Sequence, residues 1–79
     1  MSQLILYYQP DCHLCDEALA LMHACGLGDS YHEVDIESDL ELLKRYGIHV
    51  PVLMRESDNK ELFWPFDQME LLAFVGAGM

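Results

Sequence analysis

The sequence predicts an α/β fold in which a four-stranded mixed sheet forms the middle of a three-layer sandwich, with elements in the order βαβαββα. Two observations support this prediction. Short β-prone apolar runs alternate with segments of helical spacing, and turn-forming or helix-capping residues separate them. The 79 residues suffice for about one small domain, and no linker or internal repeat divides them. We therefore expect residues 1–79 to form a single domain.

The amino-terminal part predicts a βαβ unit. The run Leu4–Tyr8 is continuously apolar, which is typical of a strand buried on both faces. A helix follows the break at Pro10 and Asp11, and Gly26 provides its carboxyl-terminal stop. Its predicted apolar face consists of Leu14, Ala18, Leu21, Met22 and Cys25. Alternation over Tyr31–Ile36 predicts a half-exposed strand, which a right-handed crossover makes parallel to the first.

A second helix is predicted after this strand. Ser38 and Glu41 match the capping-box pattern, in which each side chain accepts a backbone N–H at the helix start. Leu40, Leu43 and Tyr46 provide the apolar positions of this helix. Gly47 is expected to close it.

The carboxyl-terminal part predicts a hairpin and a last helix. The β-prone runs Val50–Met54 and Leu62–Trp64 flank the polar, turn-rich stretch 56–60, so we expect them to pair antiparallel. Asp67 and Glu70 repeat the capping pattern. The apolar positions of the short helix that follows are Leu71, Leu72, Phe74 and Val75.

Charge and hydropathy exclude several classes of function. Fourteen acidic against four basic residues give a formal charge of −10, which disfavours nucleic acid and anionic membranes as partners. No apolar run approaches the roughly 20 residues that a membrane span needs. The amino terminus lacks the basic region and the long apolar run of a signal peptide. We expect a cytoplasmic, monomeric protein.

One motif, Cys12-His13-Leu14-Cys15, carries the chemistry, and it lies between the first strand and the first helix. In a cytosolic βαβ setting this spacing indicates a redox dithiol, because the two sulfurs meet within one helical turn. The first-turn N–H groups and the helix dipole stabilise a thiolate at Cys12, which is the attacking form. Cys15 is then placed to displace the substrate from the mixed disulfide.

Charged neighbours of Cys12 act in opposite directions. His13, when protonated, favours the thiolate. Asp11, Asp16 and Glu17 disfavour it by repulsion, and solvent screening weakens their effect. The sequence alone leaves this balance open.

The segments Tyr7–Cys15 and His49–Val52 resemble the matching parts of glutaredoxin-like proteins of the thioredoxin-fold superfamily. The element order resembles that family over about Leu4–Val75. The resemblance implies a thioredoxin-like, glutaredoxin-type fold with a cis peptide before Pro51, next to the dithiol. It also implies that an extended substrate pairs with the backbone of Val50. With His13 and Asp67, the latter at the glutathione α-amino group, these residues form the predicted substrate-binding set.

Three departures from the glutaredoxin pattern concern glutathione. Many glutaredoxins have a Lys or Arg shortly before the dithiol, where this chain has Tyr8–Asp11. The Thr before Val-Pro is His49 here, and Trp64–Phe66 replaces a Gly-Gly pair. The net charge of −10 also weakens the capture of an anion. Protein disulfides and glutathione therefore both remain candidate partners.

The leading hypothesis is a thiol–disulfide oxidoreductase with Cys12 as nucleophile and Cys15 as resolving thiol. It needs no resident cofactor, and glutathione is a candidate co-substrate. One alternative is a metal or iron–sulfur carrier that uses Cys12, with His13, Cys15 and His49 as further soft ligands. A structural zinc site is not predicted, because no second ligand pair follows at suitable spacing. Another alternative is a thioredoxin-fold module that binds a partner without catalysis. Cys25 is interpreted as a core thiol.

Overall fold

Strand β1 lies inside the sheet and organises the fold. The structure, a computed structural model, describes residues 4–28 and 31–77. The strands are β1 (Leu4–Tyr8), β2 (Tyr31–Asp35), β3 (Val52–Arg55) and β4 (Lys60–Phe63). They pair in the order β2-β1-β3-β4, with β1 parallel to β2 and both other pairings antiparallel. The predicted mixed four-stranded sheet, with its βαβ unit and its hairpin, is confirmed.

Helices cover both faces of the sheet. They are α1 (His13–Ala24), α2 (Leu40–Tyr46) and α3 (Gln68–Ala77), with a 3-10 helix at Ile36–Ser38. The chain therefore has the predicted three-layer α/β architecture of a thioredoxin-like fold. Within the two stretches that the structure describes, no helix has the length and apolar character needed to cross a membrane.

Side chains of β1 alternate between two cores. Leu4 and Leu6 are buried with side chains of α1 and α3, whereas Tyr7 is buried on the other face with Tyr46 of α2. Successive residues of a strand point to opposite faces, so a strand covered on both faces has to be apolar throughout. This explains the continuous apolar run of β1.

The buried face of α1 differs from the prediction at one position. Cys15, Ala18 and Met22 are buried and form a stripe at spacings of three and four residues. Leu14 was predicted on this face, but its side chain is 38% exposed. It precedes Cys15 by one residue, about 100° around the helix, and therefore lies at the edge of the stripe. Cys25 packs against this core while remaining partly buried, which agrees with its interpretation as a core thiol.

β2 ends one residue earlier than predicted. The carboxylate of Asp35 accepts the N–H of Glu37 at 2.8 Å, which starts the 3-10 helix at Ile36. Ile36 is buried against the α2 side of the sheet. The apolar pattern thus correctly predicts that Ile36 is buried, but the Asp35 carboxylate caps the 3-10 helix and ends the strand one residue earlier.

The predicted Ser38–Glu41 capping box is wrong by one residue. The Ser38 hydroxyl donates to the Asp35 carbonyl at 2.6 Å, so it belongs to the preceding 3-10 helix. Asp39 is the N-cap of α2, and its carboxylate accepts the Glu41 N–H at 2.8 Å. Leu40, predicted as an apolar core position, is 67% exposed because it lies in the first turn.

Tyr46 anchors the short helix α2 to the sheet. Its ring stacks on Tyr7 with centroids 4.6 Å apart, and its hydroxyl donates to the carboxylate of Glu61 in β4. Gly47 ends α2 as predicted, although its backbone stays in the right-handed region. A Cβ at this position would lie 2.5 Å from the Leu43 carbonyl oxygen, and this close approach explains the glycine.

The second strand of the β3–β4 hairpin starts and ends earlier than predicted. β4 begins at Lys60 and ends at Phe63, so Trp64 lies outside it. The Trp64 N–H still donates to the Pro51 carbonyl at 3.3 Å, but Pro65 has no N–H to continue the ladder. Asn59 closes the turn in the left-handed region with φ of 60°.

A buried arginine connects this turn to α3. Arg55 is 5% exposed, and its guanidinium donates to both carboxylate oxygens of Asp58, at 2.9 and 2.5 Å. It also donates to the Phe74 carbonyl at 2.5 Å and lies 4.8 Å from the Phe74 ring centroid. That carbonyl is in the last turn of α3, where a helix leaves acceptors unpaired. The pair therefore compensates a buried charge and caps a helix end.

We expect Asp58 to make stability depend on pH in the acid range. The Arg55 guanidinium holds the pKa of this carboxyl down to about 2. Because the folded pKa lies below the usual value of about 3.9, the ion pair stabilises the fold above about pH 4. That contribution is lost as the pH falls through about 2.

Urea unfolding at several pH values measures this contribution. Asp58→Asn should be less stable than the wild type at neutral pH, and the difference should shrink as the solution is acidified towards pH 2. Glu56→Gln, which removes a neighbouring exposed carboxylate, is the matched control. An Asp58→Asn deficit that is constant with pH would contradict the assignment.

Candidate functional site

Cys12 caps the amino terminus of α1. Its backbone is extended, with φ of −105° and ψ of 105°, and its sulfur accepts the backbone N–H of Cys15 at 3.3 Å. The first N–H groups of a helix have no partner within the helix, and the helix dipole places partial positive charge there. An N–H donor and the dipole thus both favour negative charge on the Cys12 sulfur.

Cys15 lies behind Cys12 and is 2% exposed, whereas Cys12 is half-buried. The Cys15 thiol donates to the Cys12 sulfur, with 2.6 Å between the two sulfur atoms. Burial, and secondly this hydrogen bond, raise the pKa of Cys15 to about 12. Cys15 therefore keeps its proton near neutral pH, while the more accessible sulfur of Cys12 receives hydrogen bonds.

The loop before the dithiol turns the chain from β1 into α1. Asp11 adopts the left-handed region with φ of 59°, which Asp and Asn tolerate better than most residues. The Gln9 backbone forms a hydrogen bond to the Cys15 sulfur, and the Gln9 amide lies 3.5 Å from the Glu37 carboxylate. Gln9 was not identified from the sequence as a residue that contacts the dithiol. The Pro10-Asp11 turn signal was the one indication of a special backbone here.

Strand register brings Val50 and Pro51 to the same end of the sheet as the dithiol. Tyr7 pairs with Val52 in antiparallel register, so Pro51 lies next to the carboxyl end of β1. The Val50–Pro51 peptide is cis, as the resemblance implied, and Pro51 is buried.

The backbone N–H of Val50 already donates a hydrogen bond within the chain. The N–H groups of His49 and Val50 both donate to the Tyr46 carbonyl, at 2.8 and 3.2 Å. If the Val50 N–H donated to a substrate instead, the Tyr46 carbonyl would keep the shorter hydrogen bond from His49. Strand addition at Val50 is therefore compatible with the structure, but it requires that exchange.

Asp67 is the N-cap of α3. Its carboxylate accepts the Glu70 N–H at 2.8 Å, and the Glu70 carboxylate accepts the Asp67 N–H at 3.2 Å. The predicted reciprocal capping pattern is confirmed. Asp67 follows Phe66, which is buried and in edge contact with Trp64 at 5.0 Å between centroids. Since β4 ends at the dithiol end of the sheet, this loop starts there too.

The two histidines of the motif regions are exposed. Nε2 of His13 lies 3.7 Å from the Glu17 carboxylate, one helical turn along α1. His49 packs edge-on against Phe63, with ring centroids 5.6 Å apart. Among the residues that the structure describes, no three His, Cys, Asp or Glu side chains are grouped to hold a metal ion. The suggested set of Cys12, His13, Cys15 and His49 is thus not assembled.

A family model described as "Glutaredoxin-like domain (DUF836)" matches residues 3–76 of the chain. None of the curated proteins compared with the chain matches it significantly.

Solved structures match the chain over most of its length. A crystal structure of a structural-genomics target protein from X. campestris is 40% identical, with a TM-score of 0.84, over 94% of this chain and 96% of that one. A solution structure of a protein from Nitrosomonas europaea is 26% identical, with a TM-score of 0.78, over 92% of this chain and 89% of that one. A malarial protein shares the fold at 13% identity and a TM-score of 0.63, over 100% of this chain and 98% of that one.

We expect the two thiols to differ in alkylation rate. Iodoacetamide at neutral pH should label Cys12 at least about tenfold faster than Cys15, because the thiolate reacts and Cys15 is buried with its pKa near 12. Peptide mapping by mass spectrometry after timed quenching measures both rates, with half-buried Cys25 as an internal reference. Equal labelling of Cys12 and Cys15 would contradict the asymmetry.

Proposed function

The chain belongs to the glutaredoxin-like domain family (DUF836), and from this premise we propose that it is a thiol–disulfide oxidoreductase with Cys12 as nucleophile and Cys15 as resolving thiol. The supporting observation is the asymmetry of the dithiol. One sulfur is accessible and accepts hydrogen bonds at a helix start, and the other is a buried thiol 2.6 Å away. A dithiol cycle of thiol–disulfide exchange uses one sulfur to attack the substrate and the other to resolve the mixed disulfide.

The proposed reaction has two exchange steps. The Cys12 thiolate attacks one sulfur of a substrate disulfide, forms a mixed disulfide and releases the other substrate sulfur as a thiolate. Cys15 then attacks the Cys12 sulfur, and the second substrate sulfur leaves. The Cys15 proton passes to a departing substrate thiolate, which lowers the barrier set by the raised pKa of Cys15. The substrate gains two electrons, and the protein retains a Cys12–Cys15 disulfide.

An external thiol completes the cycle. Two equivalents of a low-molecular-weight thiol such as glutathione, or one dithiol protein, return two electrons to the Cys12–Cys15 disulfide. This chemistry needs no resident cofactor, because the two sulfurs carry both electrons. Val50, Pro51 and the Asp67 loop lie at the same sheet end and support substrate contacts there, with His13 on the first turn of α1.

A redox titration tests the dithiol couple. In glutathione buffers of varied ratio, intact mass after acid quenching should show a reversible loss of two hydrogens localised to Cys12 and Cys15. We expect a midpoint within the roughly −270 to −200 mV spanned by thioredoxin and glutaredoxins. Cys25→Ser is the matched control and should titrate like the wild type. A glutathione adduct that persists on Cys12 would contradict the resolving role of Cys15, and the absence of both products would overturn the proposal.

Substitution of the two cysteines should have different effects. Cys12→Ser should leave less than about 1% of the disulfide-reducing activity, because a hydroxyl is a poor nucleophile in this exchange. Cys15→Ser should instead accumulate a mixed disulfide on Cys12, visible as a mass increase equal to the bound substrate fragment. If Cys15→Ser kept full turnover of protein disulfides without trapping, Cys15 would not be the resolving thiol.

A further inference from the structure

The end of the sheet that carries the dithiol is strongly acidic. Four segments meet there because β1, β2 and β4 end and β3 begins at this end: 9–17, 35–39, 47–51 and 63–67. Together they contain seven carboxylates and no Lys or Arg. The seven are Asp11, Asp16, Glu17, Asp35, Glu37, Asp39 and Asp67.

The four basic residues of the chain lie outside these segments. Arg55 and Lys60 pair with each other at the opposite end of the sheet, beside Leu4. Arg45 lies 3.7 Å from the Glu61 carboxylate, and Lys44 is its neighbour in α2. The strand register thus places Arg55 and Lys60 away from the dithiol, and Arg45 already has a carboxylate partner in β4.

Contacts within the acidic end leave most of its charge in place. Asp35, Asp39 and Asp67 accept backbone N–H groups, and Glu37 faces the Gln9 amide. All these donors are neutral, so they orient the carboxylates without cancelling their charge. The exposed His13 beside Glu17 is the one titratable base in contact with this set among the described contacts.

Exposed apolar side chains accompany the acidic groups. Ile48 is 91% exposed in the segment that leads to Val50, and Phe63 is 43% exposed at the end of β4. Phe63 and His49 pack edge-on, and Leu14 is exposed inside the dithiol motif. Exposed large apolar side chains next to a reactive group favour contact with a polypeptide over contact with a small polar molecule.

We propose that the dithiol acts on extended polypeptide disulfides whose cysteine is flanked by Lys or Arg and by apolar residues, in preference to glutathione disulfides. This inference rests on the proposed oxidoreductase function. Glutathione carries two carboxylates and one amino group, and these four segments have no Lys or Arg to bind a carboxylate. A cationic segment is instead attracted by the seven carboxylates, which raises its encounter rate. The exchange steps are those described above, and the partner alone differs.

Single-turnover kinetics with activated disulfides test this preference. Four 2-thiopyridyl mixed disulfides are compared, made from glutathione and from three short peptides whose central Cys is flanked by Lys, Ser or Glu next to a common Leu. Release of the thiopyridone chromophore by excess reduced protein gives a second-order rate constant for each. We expect the order Lys, then Ser, then Glu and glutathione, with about a tenfold span at low salt. Near 1 M salt, where the Debye length is about 3 Å, the span should shrink to about twofold.

Charge-neutral variants identify the residues responsible. Asp11→Asn suits the left-handed backbone at this position, and Glu56→Gln removes one charge from the turn at the far end. The readout is the ratio of the Lys-peptide and Glu-peptide rates, in which the intrinsic reactivity of Cys12 cancels. This ratio should fall about twofold in Asp11→Asn and about fivefold in the triple variant Asp11→Asn, Glu17→Gln, Glu37→Gln. It should not change in Glu56→Gln.

Ile48→Ser tests the apolar part, and its side chain is exposed enough that the fold should be unaffected. It should slow the Leu-containing Lys peptide about threefold relative to glutathione. Equal rates for all four disulfides, or glutathione as the fastest, would overturn the proposed substrate class while leaving the oxidoreductase intact. No chromophore release from any of them would overturn the oxidoreductase proposal itself.

Discussion

The position of β1 in the sheet determines where every part of the site lies. β1 is paired along both edges and covered on both faces, so its register cannot slip without moving Leu6 and Tyr7 to the wrong cores. Parallel pairing puts the end of β2 beside Tyr8, and antiparallel pairing puts the start of β3 there. The dithiol, which begins four residues beyond Tyr8, therefore lies at the same end of the sheet as Pro51.

Much of this arrangement could be predicted from the sequence. Helices on both faces of the sheet require buried apolar side chains at regular spacings, and these spacings are visible in the sequence. The strand β1, the hairpin and the Asp67 cap agree with the sequence. The start of α2 does not, because Ser38 and Asp39 are both competent caps and the three-dimensional course of the 3-10 helix selects Asp39. The contact of Arg55 with Phe74 joins residues far apart in the chain, and no local pattern signals it.

The candidate site shows the same division. The spacing of Cys12 and Cys15 locates the dithiol, but the sequence indicates only the helix start and the charges around Cys12 and not the burial of Cys15. In the structure, burial is what makes the two thiols different. It is the largest cause of the raised pKa of Cys15. Burial of one side chain depends on how α1 rotates against the sheet, and the exposed Leu14 shows that the apolar pattern left this rotation uncertain by about one residue.

The chain's buried cation, Arg55, ties the β3–β4 turn to the last turn of α3, at the end of the sheet away from the dithiol. The Arg55 anchor and the dithiol thus lie at opposite ends of the same sheet. The anchor consists of Arg55, Asp58 and Phe74, none of which belongs to the four segments around the dithiol. The surface that faces a substrate is therefore built from residues other than those that hold the hairpin to the last helix.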